Sequence, residues 1–317
     1  MNLSNIVLMF PGQGSQSVGM GRDLAENFVE YRDTLNEASD TLGFDVAQLC
    51  FEDKQNQLGL TEYTQPALLA TSVAAYRTLA KRTGLRGVAA VAGHSLGEYS
   101  ALVCADALSF SDALKAVRFR GQAMQRAVPV GVGAMAAYVG SQGDKVVALC
   151  HELSSQNASV EPVNFNSRSQ IVLSGHKAAV EAAVARIAAE KLGRGIPLPV
   201  SAPFHSSLMQ PAAAEMEQYL DSVELKTLTL PLYANVDAQK YTSSTYTRAH
   251  LVRQISSAVL WTQTLESIHN NESPALWLEV GSGIVLQGLV KKTIDNASCS
   301  GTQDLASLTS ALTTLGA

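Results

Sequence analysis

The sequence Gly-His-Ser-Leu-Gly at residues 93–97 constrains the fold of this 317-residue chain more than any other stretch. The apolar run 88–92 before it is typical of a buried parallel strand, and the helix-forming stretch 96–108 follows it. A Gly-x-Ser-x-Gly turn between a strand and a helix is the pattern of a nucleophile elbow, in which a side chain at either glycine would clash. We therefore predict that Ser95 is a nucleophile at a helix N-terminus, where backbone N–H groups can stabilise an oxyanion.

The composition excludes several classes of protein. At 317 residues and 46% hydrophobic content, the chain is large enough for one large domain with an insertion or for two domains. Its net charge is −5 and it has no basic stripe, which argues against binding to nucleic acid. Its four cysteines are widely spaced without a CxxC pair, which favours a reducing compartment over disulfides or a metal site. We find no signal peptide and no membrane-spanning segment, so we expect a soluble cytoplasmic protein. We also expect it to be monomeric and to contain no metal.

The order of the predicted elements outlines a large α/β domain with a smaller one inserted. Strands of the large domain are predicted at 6–10, 88–92, 230–234 and 275–280, and helices at 24–42, 64–83, 96–108, 111–128, 208–223, 250–255 and 305–315. Between Pro/Gly-rich joints the order β-α-β-β-α-β is that of a ferredoxin-like unit. We therefore predict a ferredoxin-like subdomain over 129–199 within a catalytic domain formed by 1–128 and 200–317.

A serine nucleophile needs a base, and His205 is the best of the six histidines. It lies in a Pro-Phe-His-Ser loop after a predicted strand and follows Ser95 in the chain, as the base does in hydrolase-type folds. His94 is expected to point the other way along the turn, and the remaining histidines are interpreted as surface residues. No acidic residue between Ser95 and His205 falls at a strand end, so a main-chain carbonyl is the alternative partner for the histidine.

Three further segments fall near the expected site. The glycine-rich loop 11–16 lacks the Lys-Ser/Thr of a P-loop, and we expect it to bring a backbone N–H to the site, the alternative being a plain tight turn. Thr64-Gln65-Pro66 predicts a helix start, and Gln65 is assigned a capping or turn role in preference to a place in the site. Arg118 and Arg120 are two residues apart on a predicted helix, so one of them can turn inward.

Six short motifs in this chain resemble those of a known family. They are Pro-Gly-Gln-Gly-Ser-Gln (11–16), Thr-Gln-Pro-Ala (64–67), Gly-His-Ser-Leu-Gly-Glu-Tyr (93–99), Arg-Gly (120–121), Pro-Phe-His-Ser (203–206) and Glu-Val-Gly (279–281). In this order, over residues 7 to about 293, they closely resemble the malonyl-CoA:acyl-carrier-protein transacylases of fatty-acid synthesis and the acyltransferase domains of polyketide synthases. The resemblance implies an α/β-hydrolase-like large domain with a parallel sheet and an inserted ferredoxin-like (βαββαβ) subdomain.

The resemblance also implies roles for individual residues in the acyl-transfer step. Ser95 resembles the nucleophile that becomes acylated, and His205 resembles its general base. Gln13 and Leu96 resemble the pair whose backbone N–H groups form the oxyanion hole. Gln254 resembles the residue whose main-chain carbonyl orients the histidine.

Two other residues resemble those that select the acyl group. Arg120 resembles the arginine that pairs with the free carboxylate of malonyl, which suits the chemistry because a buried carboxylate needs a partner and the guanidinium fork matches it. Phe204 resembles the aromatic residue of malonyl-selective polyketide acyltransferases, where the ring fills the space of a 2-methyl branch. Ala258 and Leu260 depart from the family pattern beside Gln254, and Arg168 replaces a common proline in the small subdomain.

The implied activity is transfer of malonyl from malonyl-CoA to the phosphopantetheine thiol of an acyl carrier protein, for fatty-acid or polyketide synthesis. It proceeds through a Ser95 acyl-enzyme, with no cofactor of its own. Two alternatives remain from the residues alone. A serine hydrolase or thioesterase acting on acyl thioesters would use Ser95 and His205 but not Arg120. An inactive carrier-docking scaffold would have a broken dyad, whereas Ser95 and His205 are both present.

Overall fold

The structure, a computed structural model, describes residues 5–155, 157–200 and 202–316. Its strands form one sheet of six strands and one of four. In chain order the strands are β1 (Ile6–Phe10), β2 (Val88–Gly93), β3 (Gly133–Val139), β4 (Val160–Ser167), β5 (Gln170–His176), β6 (Arg194–Pro197), β7 (Leu228–Tyr233), β8 (Lys240–Ser243), β9 (Leu276–Glu279) and β10 (Cys299–Gly301).

The larger sheet has the strand order β10-β9-β1-β2-β7-β8, with β8 antiparallel at one edge and the other neighbours parallel. All of β1 is buried, and its side chains alternate between two cores on opposite faces, starting with Ile6 on one and Val7 on the other. Phe10, at the end of β1, pairs with Gly93 at the end of β2. Because parallel strands end at the same edge, this pairing places the loop 11–16 beside the serine turn.

Helices cover both faces of this sheet. The helices are α1 (Arg22–Asn27), α2 (Val29–Leu42), α3 (Val46–Phe51), α4 (Thr61–Thr83), α5 (Gly97–Cys104), α6 (Phe110–Arg126), α7 (Gly143–Leu153), α8 (Lys177–Ala189), α9 (Gln210–Leu220), α10 (Arg248–Ile255), α11 (Trp261–Glu272), α12 (Val285–Thr293) and α13 (Leu305–Leu315), with a 3-10 turn at Ser207–Met209. The buried side chains of α11 and α12 pack on the face that carries Val7, whereas α4, α5 and α6 pack on the face that carries Ile6.

The smaller sheet is antiparallel, in the order β4-β5-β3-β6. With α7 and α8 it has the chain order β-α-β-β-α-β, and its strands and helices enclose a separate core that includes Tyr138, Leu149 and Leu173. The predicted fold class, an α/β-hydrolase-like domain with a ferredoxin-like unit, is confirmed. The bounds 129–199 stay a prediction, and the strands of the small sheet run from Gly133 to Pro197.

Several predicted helices have different bounds in the structure, and two of the differences have a clear physical cause. The single helix predicted at 24–42 is wrong, because the extended backbone of Phe28 (φ −126°, ψ 116°) separates α1 from α2. The start predicted at Thr64 is also wrong, because α4 begins at Thr61 and contains Pro66 in its second turn. The almost continuous burial of α4 from Thr64 onward explains the tolerance of a proline there, since tertiary packing outweighs the missing hydrogen bond.

Five elements were absent from the sequence prediction: α3, α11, α12, β8 and β10. For two of them, α11 and α12, the sequence does contain a helical pattern of apolar residues. The buried residues of α11 are Trp261, Thr264, Leu265 and Ile268, and those of α12 are Leu286, Leu289, Val290 and Thr293. Both sets follow the i, i+3, i+4, i+7 spacing of an amphipathic helix. The other three are only three to six residues long, too short for periodicity to distinguish them.

Candidate active site

The turn that carries Ser95 is shaped by its two glycines. A Cβ built on Gly93 would lie 2.0 Å from the carbonyl oxygen of Gly97, and one on Gly97 would lie 2.1 Å from the carbonyl oxygen of Phe10. Ser95 has a φ of +53°, a strained value for a residue with a side chain, and its N–H donates to Asn235 Oδ1 at 2.7 Å. The close approach of strand and helix therefore requires glycine on both sides, and the strained serine is held by a side chain from another segment.

Ser95 and His205 form a hydrogen-bonded pair. The Ser95 Oγ lies 2.8 Å from His205 Nε2, and His205 Nδ1 lies 2.8 Å from the main-chain oxygen of Gln254. Because a carbonyl oxygen can only accept, Nδ1 carries the hydrogen and Nε2 is left to accept the serine proton. Burial, followed by the charge of Arg120, lowers the pKa of His205 to about 3, so the imidazole is neutral at neutral pH. This pair has the geometry of a nucleophile and its general base.

Arg120 is a buried cation beside the serine. It is 1% exposed, and its Nη2 donates to Ser95 Oγ at 3.1 Å. The same Nη2 donates to Gln254 Oε1 at 2.9 Å, and Nη1 donates to Gln65 Oε1 at 2.8 Å. Its Nε has no hydrogen-bond partner within the described part of the chain. The guanidinium is thus surrounded by neutral amide oxygens, an arrangement that leaves it able to pair with an anion.

Arg118 lies on the other side of α6, as the two-residue spacing predicts. Its Nη1 donates to the main-chain oxygen of Leu42, and its guanidinium lies over the rings of Phe44 and Tyr63. The assignment of Gln65 to a capping or turn role is wrong. Its side chain is 1% exposed and contacts Arg120. The Thr-Gln-Pro signal was visible in the sequence, but its contact with a helix 55 residues further on was not.

Gln13 and Leu96 both line the cavity that contains Ser95. A Cβ on Gly12 would lie 2.5 Å from the carbonyl oxygen of His94, so the loop 11–16 passes directly against the serine turn. Among the described residues, neither the Gln13 N–H nor the Leu96 N–H donates to a protein acceptor. Two free N–H groups on adjoining loops fit the requirements of an oxyanion hole, which stays a prediction.

A cavity of about 280 Å³ connects these groups, and it is lined by residues of the small sheet and by loops and helices of the large domain. One end is polar and contains Ser95, His205 and Arg120. The rest is mainly apolar, with Phe204 in the loop before the histidine and side chains from the small sheet and α12. The apolar lining residues are Met124, Met135, Ala137, Val172, Leu198, Val200, Val285, Leu286 and Leu289. A small acyl group bound at the polar end would therefore be shielded from water by the small subdomain.

The segment 256–260, which departs from the family pattern, is held by hydrogen bonds at its C-terminal end. Val259 pairs with β4, donating to Val163 O and accepting from Phe165 N, and Leu260 N donates to Asn235 O. Ala258 and Leu260 therefore leave the Gln254–His205 hydrogen bond intact. Arg168, the other departure, lies at an exposed turn and donates to Glu266 at 3.1 Å.

His94 adjoins the serine but makes its hydrogen bond elsewhere. Its Nε2 lies 2.8 Å from Asn166 Oδ1, and its ring meets the edge of Trp261. It also lines the cavity, in contrast to the prediction that it points away. Because its partner belongs to β4, His94 connects the serine turn to the small sheet.

Within the described residues, no helix is both long and apolar enough to cross a membrane. Over the same ranges, His, Cys, Asp and Glu side chains form no group of three or more arranged to hold a metal ion.

The fold and this cavity define an enzyme that handles acyl groups. The acyl transferase domain family matches residues 7–312, and the chain belongs to this family. A malonyl CoA-acyl carrier protein transacylase of Salmonella typhimurium is 43% identical over 311 residues, covering 98% of this chain and all of the relative. The crystal structure of an acyl carrier protein S-malonyltransferase from Vibrio cholerae has a TM-score of 0.92 at 42% identity, covering 97% of this chain and 100% of the other.

A third similar protein was solved with a partner. It is a malonyl-transacylase in complex with its type II PKS acyl-carrier protein, with a TM-score of 0.93 at 42% identity, covering 98% of this chain and 100% of the other. The similarity therefore extends over both sheets and over nearly the full length of all three relatives.

Proposed function

We propose that this protein transfers the malonyl group of malonyl-CoA to the phosphopantetheine thiol of an acyl carrier protein, through an ester on Ser95. The observation that carries the proposal is Arg120, whose buried guanidinium lies 3.1 Å from Ser95 Oγ among neutral amide oxygens. A serine hydrolase acting on uncharged acyl groups has no use for a buried cation at this place, whereas a malonyl carboxylate is an anion that the guanidinium can bind directly. The names of the relatives agree with this substrate.

In the first half-reaction, Ser95 Oγ attacks the thioester carbonyl while its proton passes to His205 Nε2. The N–H groups of Gln13 and Leu96 stabilise the oxyanion, and Arg120 holds the malonyl carboxylate. The carbon–sulfur bond then breaks, and the sulfur of CoA takes the proton from His205. In the second half-reaction the carrier's thiol gives its proton to His205 and attacks the Ser95 ester, so that malonyl leaves on sulfur and serine regains its proton.

The carrier can belong to fatty-acid or to polyketide synthesis. The complex of a similar transacylase with a type II PKS acyl-carrier protein supports a carrier protein as the acceptor. Every side chain in this scheme comes from one chain, so the scheme is compatible with a monomer.

Intact-mass measurement tests the proposal directly. After mixing with malonyl-CoA, the protein should gain one malonyl group, and added phosphopantetheinylated carrier protein should remove it with the malonyl appearing on the carrier. Carrier protein without its phosphopantetheine arm is the control and should leave the adduct in place. Release of free malonate at the same rate with and without the carrier would instead show a hydrolase, and the absence of any adduct would contradict the acyl-enzyme.

Replacing Phe204 with serine should change the acyl selectivity. The ring is 9% exposed and lines the cavity, so its removal should admit the methyl branch of methylmalonyl. A hydrophobic pocket discriminates one methyl group by ~1–3 kcal/mol, so the methylmalonyl-to-malonyl loading ratio should rise about 10- to 200-fold. Phe204→Leu, which retains an apolar side chain, is the control and should shift the ratio less. An unchanged ratio in Phe204→Ser would show that the ring does not limit the acyl pocket.

A further inference from the structure

A single amide side chain connects Arg120 to a buried carboxyl group. Gln254 Oε1 accepts from Arg120 Nη2 at 2.9 Å, and Gln254 Nε2 donates to Glu98 Oε2 at 2.9 Å. Glu98 and Gln254 are both completely buried, at the base of the serine turn. Glu98 belongs to the Gly-His-Ser-Leu-Gly-Glu motif, yet the reaction scheme above gives it no role.

The remaining partners of Glu98 hold it in place. Its Oε1 accepts from the Tyr246 hydroxyl at 2.5 Å, and its Oε2 also accepts from the main-chain N–H of Asn235 at 2.9 Å. Asn235 in turn accepts from the Ser95 N–H. The carboxyl group therefore has a fixed position behind both the nucleophile and the arginine.

The orientation of the Gln254 amide follows from its two neighbours. A guanidinium can only donate and a carboxylate can only accept, so the amide oxygen has to face Arg120 and the amide nitrogen has to face Glu98. Burial lowers the pKa of Arg120, whereas Tyr99 and Glu98 oppose that effect. The two opposite charges thus attract each other across one amide without direct contact.

We propose that Glu98 is the counter-charge of Arg120, held one amide away so that the guanidinium can bind a substrate carboxylate and release it again. A carboxylate in direct contact would compete with the substrate for the same N–H groups. With no counter-charge, the arginine would hold the carboxylate too strongly in the ground state and slow the next step. This inference rests on the proposed malonyl-binding role of Arg120. Glu98 acts through Gln254 and is a positioning residue.

Glu98→Gln tests the charge with little change in shape. The Tyr246 hydroxyl can accept as well as donate, so the new amide can still accept from Asn235 and Gln254 while the charge is lost. The probe is malonamate, which has one carboxylate and an inert amide in place of the thioester. It should protect Ser95 from phenylmethanesulfonyl fluoride, with labelling read by intact mass. The measurement is made at pH 8, because burial raises the pKa of Glu98 to about 7 and the group is mostly ionised there.

The half-protecting malonamate concentration should fall roughly tenfold in Glu98→Gln, because Arg120 then lacks its balancing charge. Glu279→Gln is the matched control. Glu279 is a second buried glutamate whose pKa burial raises to about 7, but it accepts from the N–H groups of Leu286 and Gln287 and has no contact with Gln254. Its substitution should leave the half-protecting concentration unchanged.

A second variant tests where the negative charge lies rather than whether it is present. Combining Glu98→Gln with Gln254→Glu preserves the net charge and moves the carboxylate into direct contact with Arg120. The half-protecting concentration should then rise tenfold or more. An unchanged or higher value in Glu98→Gln alone, or wild-type protection in the double variant, would overturn the proposal. Failure of the proposed function is a separate result, since the wild type would then form no adduct with malonyl-CoA.

Discussion

Ser95→Ala should abolish the malonyl adduct, because this substitution removes the hydroxyl that contacts the base His205. The hydroxyl lies 2.8 Å from His205 Nε2 and 3.1 Å from Arg120 Nη2, and the intact mass after incubation with malonyl-CoA should therefore stay that of the free protein. His205→Ala keeps the nucleophile but removes the base. It should slow loading by ~10²–10⁴-fold, the usual loss for general acid–base catalysis.

Ser100→Ala is the matched control for the nucleophile. Ser100 lies on α5, the helix that follows Ser95, and is completely buried, whereas Ser95 is partly exposed to the cavity. Its substitution should leave the adduct and its rate of formation close to those of the wild type. A full adduct in Ser95→Ala, located by peptide mapping on another residue, would contradict the assignment of the nucleophile.

Arg120→Ala should reduce malonyl loading far more than acetyl loading. The substitution leaves the malonyl carboxylate without its partner, and truncation of one side of a buried charge pair costs ~2–5 kcal/mol. Malonyl loading should therefore fall roughly 30- to several-thousand-fold. Acetyl has no carboxylate, so its slow loading should stay the same or rise. The measurement is the ratio of malonyl to acetyl loading on Ser95 by intact mass.

Two further variants show which property of the arginine matters. Arg120→Lys keeps the charge but loses the planar fork, so it should recover only part of the malonyl rate. Arg118→Ala is the control on the same helix. It removes a guanidinium that contacts Leu42 O and the ring of Phe44, and it should leave the malonyl-to-acetyl loading ratio unchanged. An equal fall of both substrates in Arg120→Ala would show that the arginine supports the fold rather than the malonyl group.

Local patterns predicted the elements that carry the chemistry. β1 and the final helix α13 have the predicted bounds, since a short apolar run before Pro11 and an uninterrupted helical stretch from Leu305 leave little freedom. The serine turn was equally predictable, because a Cβ at either glycine would lie only 2.0–2.1 Å from a neighbouring backbone oxygen. Such features depend on a few adjacent residues, so one sequence is sufficient to show them.

The environment of Arg120 could not be predicted from the sequence in the same way. Gln65 was assigned to a turn, and Asn235, which accepts from the Ser95 N–H, was not identified at all. Glu98 was quoted within a motif but given no role. Each of these polar residues has an ordinary local interpretation as a cap, a turn or a surface group. Their contacts join residues that are 55 to 156 positions apart in the sequence, and helix or strand periodicity predicts no contacts at such separations.

The sequence by itself determined the nucleophile turn, the alternating order of strands and helices, and the family through its six motifs. These depend on backbone sterics and hydrophobic periodicity, which act over a few residues. Only the tertiary structure decided which polar groups surround the guanidinium and which apolar groups close the cavity. The strength of a buried charge depends on every dipole and charge within a few ångströms, and the folded chain brings these together from segments far apart in the sequence.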